Sequence, residues 1–181
     1  MKTHPTYTTQ FSQRGAALIT ALVILVVLTV LGISAMRTSS LEESIVGNLR
    51  DHDLAFQAAE TGLTAGENFL NATVTIPVPD ATAGDGVYLR NQFGDFRDNL
   101  HNTAVWANGT EYGTAGTTDL LEVNSDPVFI IEYEQEIIDD LDPESKAKGK
   151  GRFYFRITSR GVGSSPNSAT MLQEIYGIRR N

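Results

Sequence analysis

Side chains able to do chemistry are few in this chain, and most of them are acidic. The densest cluster is Ile137-Ile138-Asp139-Asp140-Leu141-Asp142-Pro143-Glu144. Asp139, Asp140, Asp142 and Glu144 offer hard oxygen donors of the kind calcium takes. Their spacing is not that of an EF-hand loop, and Ser145-Lys146-Ala147-Lys148-Gly149-Lys150 follows as neutralising charge. A solvated hairpin loop is the better reading, with calcium the weaker one. Histidines stand at 4, 52 and 101. His52 lies between Asp51 and Asp53, but adjacent helical residues do not face each other; a surface histidine is favoured over a ligand or base. His101 has no acid or nucleophile at motif spacing. Cysteine is absent, which excludes a structural disulfide, a thiolate nucleophile and Cys-ligated zinc or iron–sulfur. No G-x-S-x-G, Walker loop, H-E-x-x-H or dinucleotide fingerprint occurs, and no serine or threonine has a base to activate it. The expectation is a chain without catalysis and without a cofactor. An exported metal-dependent enzyme would rest on the acidic loop alone.

The composition narrows the class further. Asp+Glu number 22 against 14 Lys+Arg in 181 residues, a net charge of −8. Phosphate backbones are bound by clustered Lys and Arg, so direct nucleic-acid binding is not expected. With 41% apolar and 20% charged residues, the chain is neither wholly disordered nor collagen-like nor of low complexity. Its length suits one globular domain with an appendage.

The appendage is the apolar run GAALITALVILVVLTVLGISAM, Gly15 to Met36, which carries no charge. As a helix it spans roughly 33 Å at ~1.5 Å per residue, enough for a bilayer core of about 30 Å. Thr20, Thr29 and Ser34 are tolerable there because their hydroxyls can return to carbonyls one turn back. A buried soluble helix of this length would normally show a polar face. A cleaved signal peptide has a shorter apolar region of about 7–15 residues, and Ile33-Ser34-Ala35 is an imperfect cleavage site. Lys2 and Arg14 precede the run without any acid, whereas Glu42 and Glu43 soon follow it. The positive-inside rule then keeps the N-terminus cytoplasmic and carries the rest of the chain across.

No proline lies between Pro5 and Pro77, so a helix from about Ala16 to about Leu70 meets no strong breaker. Beyond the membrane it turns amphipathic. Leu49, Phe56, Leu63 and Leu70 recur every seven residues, with Ile45 and Ala59 beside that row and Glu42, Glu43, Asp53, Glu60 and Glu67 flanking it. The expectation is one apolar stripe, buried on a sheet or on a partner helix. Gly32, Gly47, Gly62 and Gly66 each cost about 1 kcal/mol in a helix. They mark either close helix approach within a fibre or local loosening and helix ends; Gly47 is a candidate point of melting. Residues 71–126 read as a long connecting region with Pro77 and Pro79, and Phe93 to Trp106 can hold one short helix. The sequons at Asn71 and Asn108 are read as chance in a bacterial chain. Phe129, Ile131 and Tyr133, then Phe153, Phe155 and Ile157, alternate with mostly polar partners as in half-buried strands. Ala169 to Ile178 is a third, with Leu172, Tyr176 and Ile178 on one face, after a turn-rich link from Gly161 to Ser168. An antiparallel meander with the helix stripe on its apolar face follows, an α+β fold.

Gln13-Arg14-Gly15 before a long apolar helix resembles the cleavage region of type IV prepilins. The likeness continues through Thr38-Ser39-Ser40-Leu41-Glu42-Glu43, Gly47-Asn48-Leu49-Arg50-Asp51 and Leu54-Ala55-Phe56-Gln57-Ala58-Ala59-Glu60. Together these resemble the N-terminal region of PilX-type minor pilins over residues 13–70. The stretch from Arg152 to Gly163 is similar to their C-terminal strands. The resemblance implies a leader over 1–15, cut between Gly15 and Ala16 by a prepilin peptidase, with methylation of the new amine. It implies a transmembrane and fibre-core helix over 16–37, an amphipathic continuation over 38–70 and a globular pilin head over 71–181. It also makes Thr20 informative. Major pilins resemble one another in carrying a glutamate at the fifth mature position, where Thr20 would stand, and that carboxylate meets a neighbour's amino terminus. Its lack, shared with PilX-type pilins, favours a tip or initiating place.

The function implied is a minor pilin that primes or caps type IV pilus assembly. It would be stored in the inner membrane as a single-pass protein and then enter the pilus. Implied partners are other minor pilins, the major pilin, the prepilin peptidase, the inner-membrane assembly platform and an adhesin-like tip protein. The stem residues expected to serve assembly are Thr20, Leu49, Phe56, Glu60 and Leu63. Two alternatives stay open: a type II secretion tip pseudopilin, and a single-span periplasmic binding module that never enters a fibre.

Overall fold

A computed structural model describes residues 16–113, 120, 122–137 and 150–180. The described chain divides into two units, the first ending at Gly47 and the second opening at Asn48. Helix α1 runs over Ala16–Ala72. In the first unit it is apolar and long enough to cross a membrane, and none of its most apolar window is buried. Every large apolar side chain from Leu18 to Met36 stands exposed on the chain, as a lipid-facing helix requires. The Thr20 and Thr29 hydroxyls donate to the carbonyls of Ala17 and Val26, at 3.0 and 2.7 Å. Both hydroxyls thereby find an acceptor within the helix itself.

The second unit is built on an antiparallel sheet of order β1-β2-β3-β4. Its strands are β1 (Thr110–Glu111), β2 (Val128–Ile137), β3 (Gly151–Val162) and β4 (Ala169–Arg180). The β2–β3 register pairs Ile131 with Ile157 and Tyr133 with Phe155, then shifts between Tyr133 and Gln135. The β3–β4 register pairs Ile157 with Glu174 and Phe155 with Tyr176. The later part of α1 lies on one face. There Leu70, Phe129, Ile131, Phe153, Phe155, Ile157 and Ile178 form the main core with Val87. The expected meander and its apolar face are those observed.

The connecting segment corrects the expectation of half-buried strands. Ile130 is as buried as Ile131 because the outer face of the sheet is covered too. Tyr88, Phe96 and Trp106 close over Ile130. The rings run Tyr88–Phe93–Phe96–Trp106 with centroids 4.8, 5.9 and 5.6 Å apart. The Tyr88 N–H donates to the Ile131 carbonyl, and Tyr88's carbonyl accepts from Tyr133 N–H. The single short helix expected over Phe93 to Trp106 is instead a 3-10 turn at Phe96–Asn99 and the short helix α2 at Thr103–Trp106. The Asn102 side chain caps α2 by accepting from Ala104 N–H.

Candidate assembly surface

Between Asn48 and Ala72, α1 sorts its side chains by size. Ala55, Ala58, Ala59, Gly62, Gly66 and Leu70 are buried, a spacing that keeps them on one face. The sheet comes so near that little beyond a methyl group fits. A Cβ on Gly62 would overlap the Ser159 side chain, and one on Gly66 would lie 2.7 Å from Ile157 Cγ2. From the other side, a Cβ on Gly161 in β3 would enter the helix backbone at Ala55, Ala58 and Ala59. The glycines' propensity cost is offset by this packing. Gly62 and Gly66 thus mark close approach to the chain's own sheet, and neither is a helix end. Gly32 and Gly47 meet nothing in the described chain. Gly161 and Val162 belong to β3, not to the turn-rich link.

The heptad row is therefore corrected. Leu70 is buried and Leu63 packs at the margin of the core. Leu49 and Phe56, however, are 61% and 43% exposed, and Glu60 is exposed beside them. A period of seven drifts around a straight helix, and Ala59, not Phe56, sits where the sheet is closest. Leu41, Ile45 and Val46 of the first unit are exposed too. Ala16 opens α1. Gly15, and the acidic Asp139, Asp140, Asp142 and Glu144, lie outside the described residues. Among the described residues no group of three metal-capable side chains forms.

Several polar couplings were not legible as such. The Asp51 carboxylate accepts from Ser164 N–H at 2.6 Å, the Ser164 hydroxyl at 2.8 Å and Ser165 N–H at 3.2 Å. The Ser164 hydroxyl, followed by the two N–H groups, holds its carboxyl below the ordinary range against the opposing effect of burial. Asp51 thus ties α1 to the β3–β4 turn, and exposed His52 beside it only lines a shallow cavity of about 480 Å³. The signal was there in the turn, whose clustered Ser and Gly N–H groups need an acceptor.

On the outer face, Glu132 is 1% exposed. It accepts from Phe93 N–H at 3.4 Å and lies 3.8 Å from Arg156 Nη1. Burial pushes its carboxyl above the ordinary range, while Phe93 N–H and Arg156 work the other way. Arg156 also donates to Glu134 and Asn91, and Arg90 donates to Glu134. This network fastens the connecting segment to β2 and β3 beside a cleft of about 570 Å³ lined by Asn91, Asp95, Arg156 and Gln173. It contains no nucleophile with a base, and its groups neutralise one another.

A helix apolar and long enough to cross a membrane, followed by a four-stranded antiparallel sheet, defines a pilin-like α+β subunit. Residues 14–64 match the PilX N-terminal family, and residues 57–178 match the C-terminal family of the type IV pilus assembly protein PilX. The chain belongs to the PilX family of type IV pilus assembly proteins, structural minor pilins rather than enzymes. No curated protein and no solved structure matches it.

Proposed function

We propose that this minor pilin primes or caps type IV pilus assembly, at or near the pilus tip, together with other minor pilins. The observation that carries the reading is Thr20. Its hydroxyl is satisfied by the Ala17 carbonyl within its own helix, so the apolar stem offers no carboxylate to a neighbour's amino terminus. A buried carboxylate is costly unless paired, and a terminal subunit has no upward neighbour to pair with. The exposed apolar residues Leu49 and Phe56 supply a face for neighbouring stems. Glu60 and Leu63 lie along the same part of the stem.

The precursor sits in the inner membrane with its N-terminus cytoplasmic. The prepilin peptidase cuts it between Gly15 and Ala16, and the assembly platform moves it into a fibre of major pilin, below an adhesin-like tip protein. Mass spectrometry of the mature N-terminus tests the first step: Ala16 with a methylated amine is expected, and an intact Met1–Gly15 overturns it. Immunogold labelling tests the place. Label confined to fibre ends is expected, and label spread along the shaft contradicts a tip position.

A further inference from the structure

We propose that the cleft on the outer face of the sheet, lined by Asn91, Gly94, Asp95, Phe96, Arg156 and Gln173, binds an uncharged sugar unit through convergent hydrogen bonds. This goes beyond the assembly role and does not depend on it. Strand alternation builds the floor. Phe155 and Ile157 of β3 turn into the main core beneath α1, so Arg156 and Thr158 turn to the opposite face. Register sets Gln173 of β4 opposite Thr158 and Glu132 of β2 opposite Arg156. The wall comes from the connecting segment. Asn91 and Gly94 take positive φ, 54° and 69°, and the Gly94 N–H closes a turn on the Asn91 carbonyl. A Cβ on Gly94 would meet nothing within 4 Å, so the cleft is open beside it. Its volume of about 570 Å³ lies within the range of small-ligand sites, about 300–1,000 Å³.

The two amide side chains are each held at one end and open at the other. Arg156 Nη1 donates to Asn91 Oδ1 at 2.7 Å, which leaves the Asn91 amide N–H groups without an acceptor among the described residues. Gln173 Nε2 donates to the Thr158 hydroxyl at 2.8 Å, which leaves Gln173 Oε1 without a donor among them. Behind Arg156, Glu132 is 1% exposed, and its Oε2 takes no hydrogen bond. Arg156 Nη1 stands 3.8 Å from that oxygen, beyond hydrogen-bond reach. Fixed donors and acceptors left open side by side suit a polyhydroxyl ligand, because each hydroxyl both donates and accepts. Charge argues against an anion. An arginine in a cleft would ordinarily take a carboxylate or phosphate. Here Arg156 already lies against Glu132 and Glu134, and Arg90 is bound to Glu134 as well. Two guanidiniums thus face two carboxylates, and Asp95 has a partner within the chain. An uncharged ligand needs no further counter-charge there.

The test is amide NMR of the full chain in micelles of dodecyldimethylamine oxide, a detergent without a sugar headgroup. Galactose, mannose and N-acetylglucosamine are titrated separately. Saturable shifts are expected at Gly94 and at the side-chain amides of Asn91 and Gln173 with at least one of the three. Asn91→Asp keeps the acceptor for Arg156 and tolerates the positive φ, but lacks the donor. It should weaken binding by about fivefold, the scale of one lost hydrogen bond, and Gln173→Ala should do the same. Asn167→Ala, at the shallow cavity beside Asp51, should leave binding unchanged. No saturable shift with any of the three sugars overturns the proposal. So does undiminished affinity in both cleft variants, and so do shifts at these amides with phosphate or acetate in place of the sugars. Asn91 and Gln173 are exposed, so the fold should survive their replacement; if one variant fails to fold, the other decides.

Discussion

The two stretches of α1 place their large apolar side chains by different rules. From Leu18 to Met36 they stand exposed all round, none of them buried by the described chain. From Asn48 to Ala72 the small residues go inward against the sheet, and Leu49 and Phe56 point out. The difference teaches that, where the sheet comes closest at Gly161, size decides which residues of the helix meet it, while Leu70 enters the core further along. A backbone-to-backbone seat at Gly161 accepts alanine and glycine and leaves phenylalanine for another partner.

That contrast can be broken from the inside first. Phe155 is fully buried in the core, so Phe155→Ala should lose about 3–5 kcal/mol in chemical denaturation of the full chain in detergent. Next comes the seat. Gly161→Val pushes a side chain into the helix backbone and should lose about 1–3 kcal/mol or more, with protection falling in both α1 and β3. A loss under about 0.5 kcal/mol would mean that helix and sheet are not in close contact.

The Asp51 tie should show itself through pH. Its folded carboxyl is held below 3.8, so its contribution is present above 3.8 and fades as the pH falls through the lowered value. Asp51→Ala should abolish that acid-side loss and speed amide exchange at Ser164 and Ser165. Unchanged exchange there would remove Asp51 from the turn. The smallest expected effect sharpens the contrast most. Phe56→Ala should change stability by less than about 1 kcal/mol, because Phe56 is already 43% exposed. A loss near the 3–5 kcal/mol of a buried phenylalanine would restore it to the core.

Much of the fold could be read from residue types. The uncharged run set the first part of α1, and alternation at Phe153, Phe155 and Ile157 set β3, because both patterns are local and periodic. The seat was misread for a physical reason. Ala55, Ala58 and Ala59 carry little hydrophobic weight, so a search for large apolar residues passes over them and settles on Leu49 and Phe56. The outer core escaped notice because Tyr88, Phe93, Phe96 and Trp106 lie in a segment without period. Register alone brings Arg156 opposite Glu132. Gly161 looked like a turn because glycine usually marks one, whereas here it marks a close approach.

The most direct measurement is the number of surface pili on cells deleted for this chain and complemented in turn with wild type and with Leu49→Ser/Phe56→Ser, at matched membrane levels. The account predicts that deletion lowers pilus number severalfold, that wild type restores it, and that the double variant stays stably folded yet fails to restore it. Pilus number and length unchanged on deletion would contradict the priming role and favour a single-span binding module. Full restoration by the double variant would remove the outward face of the stem from assembly.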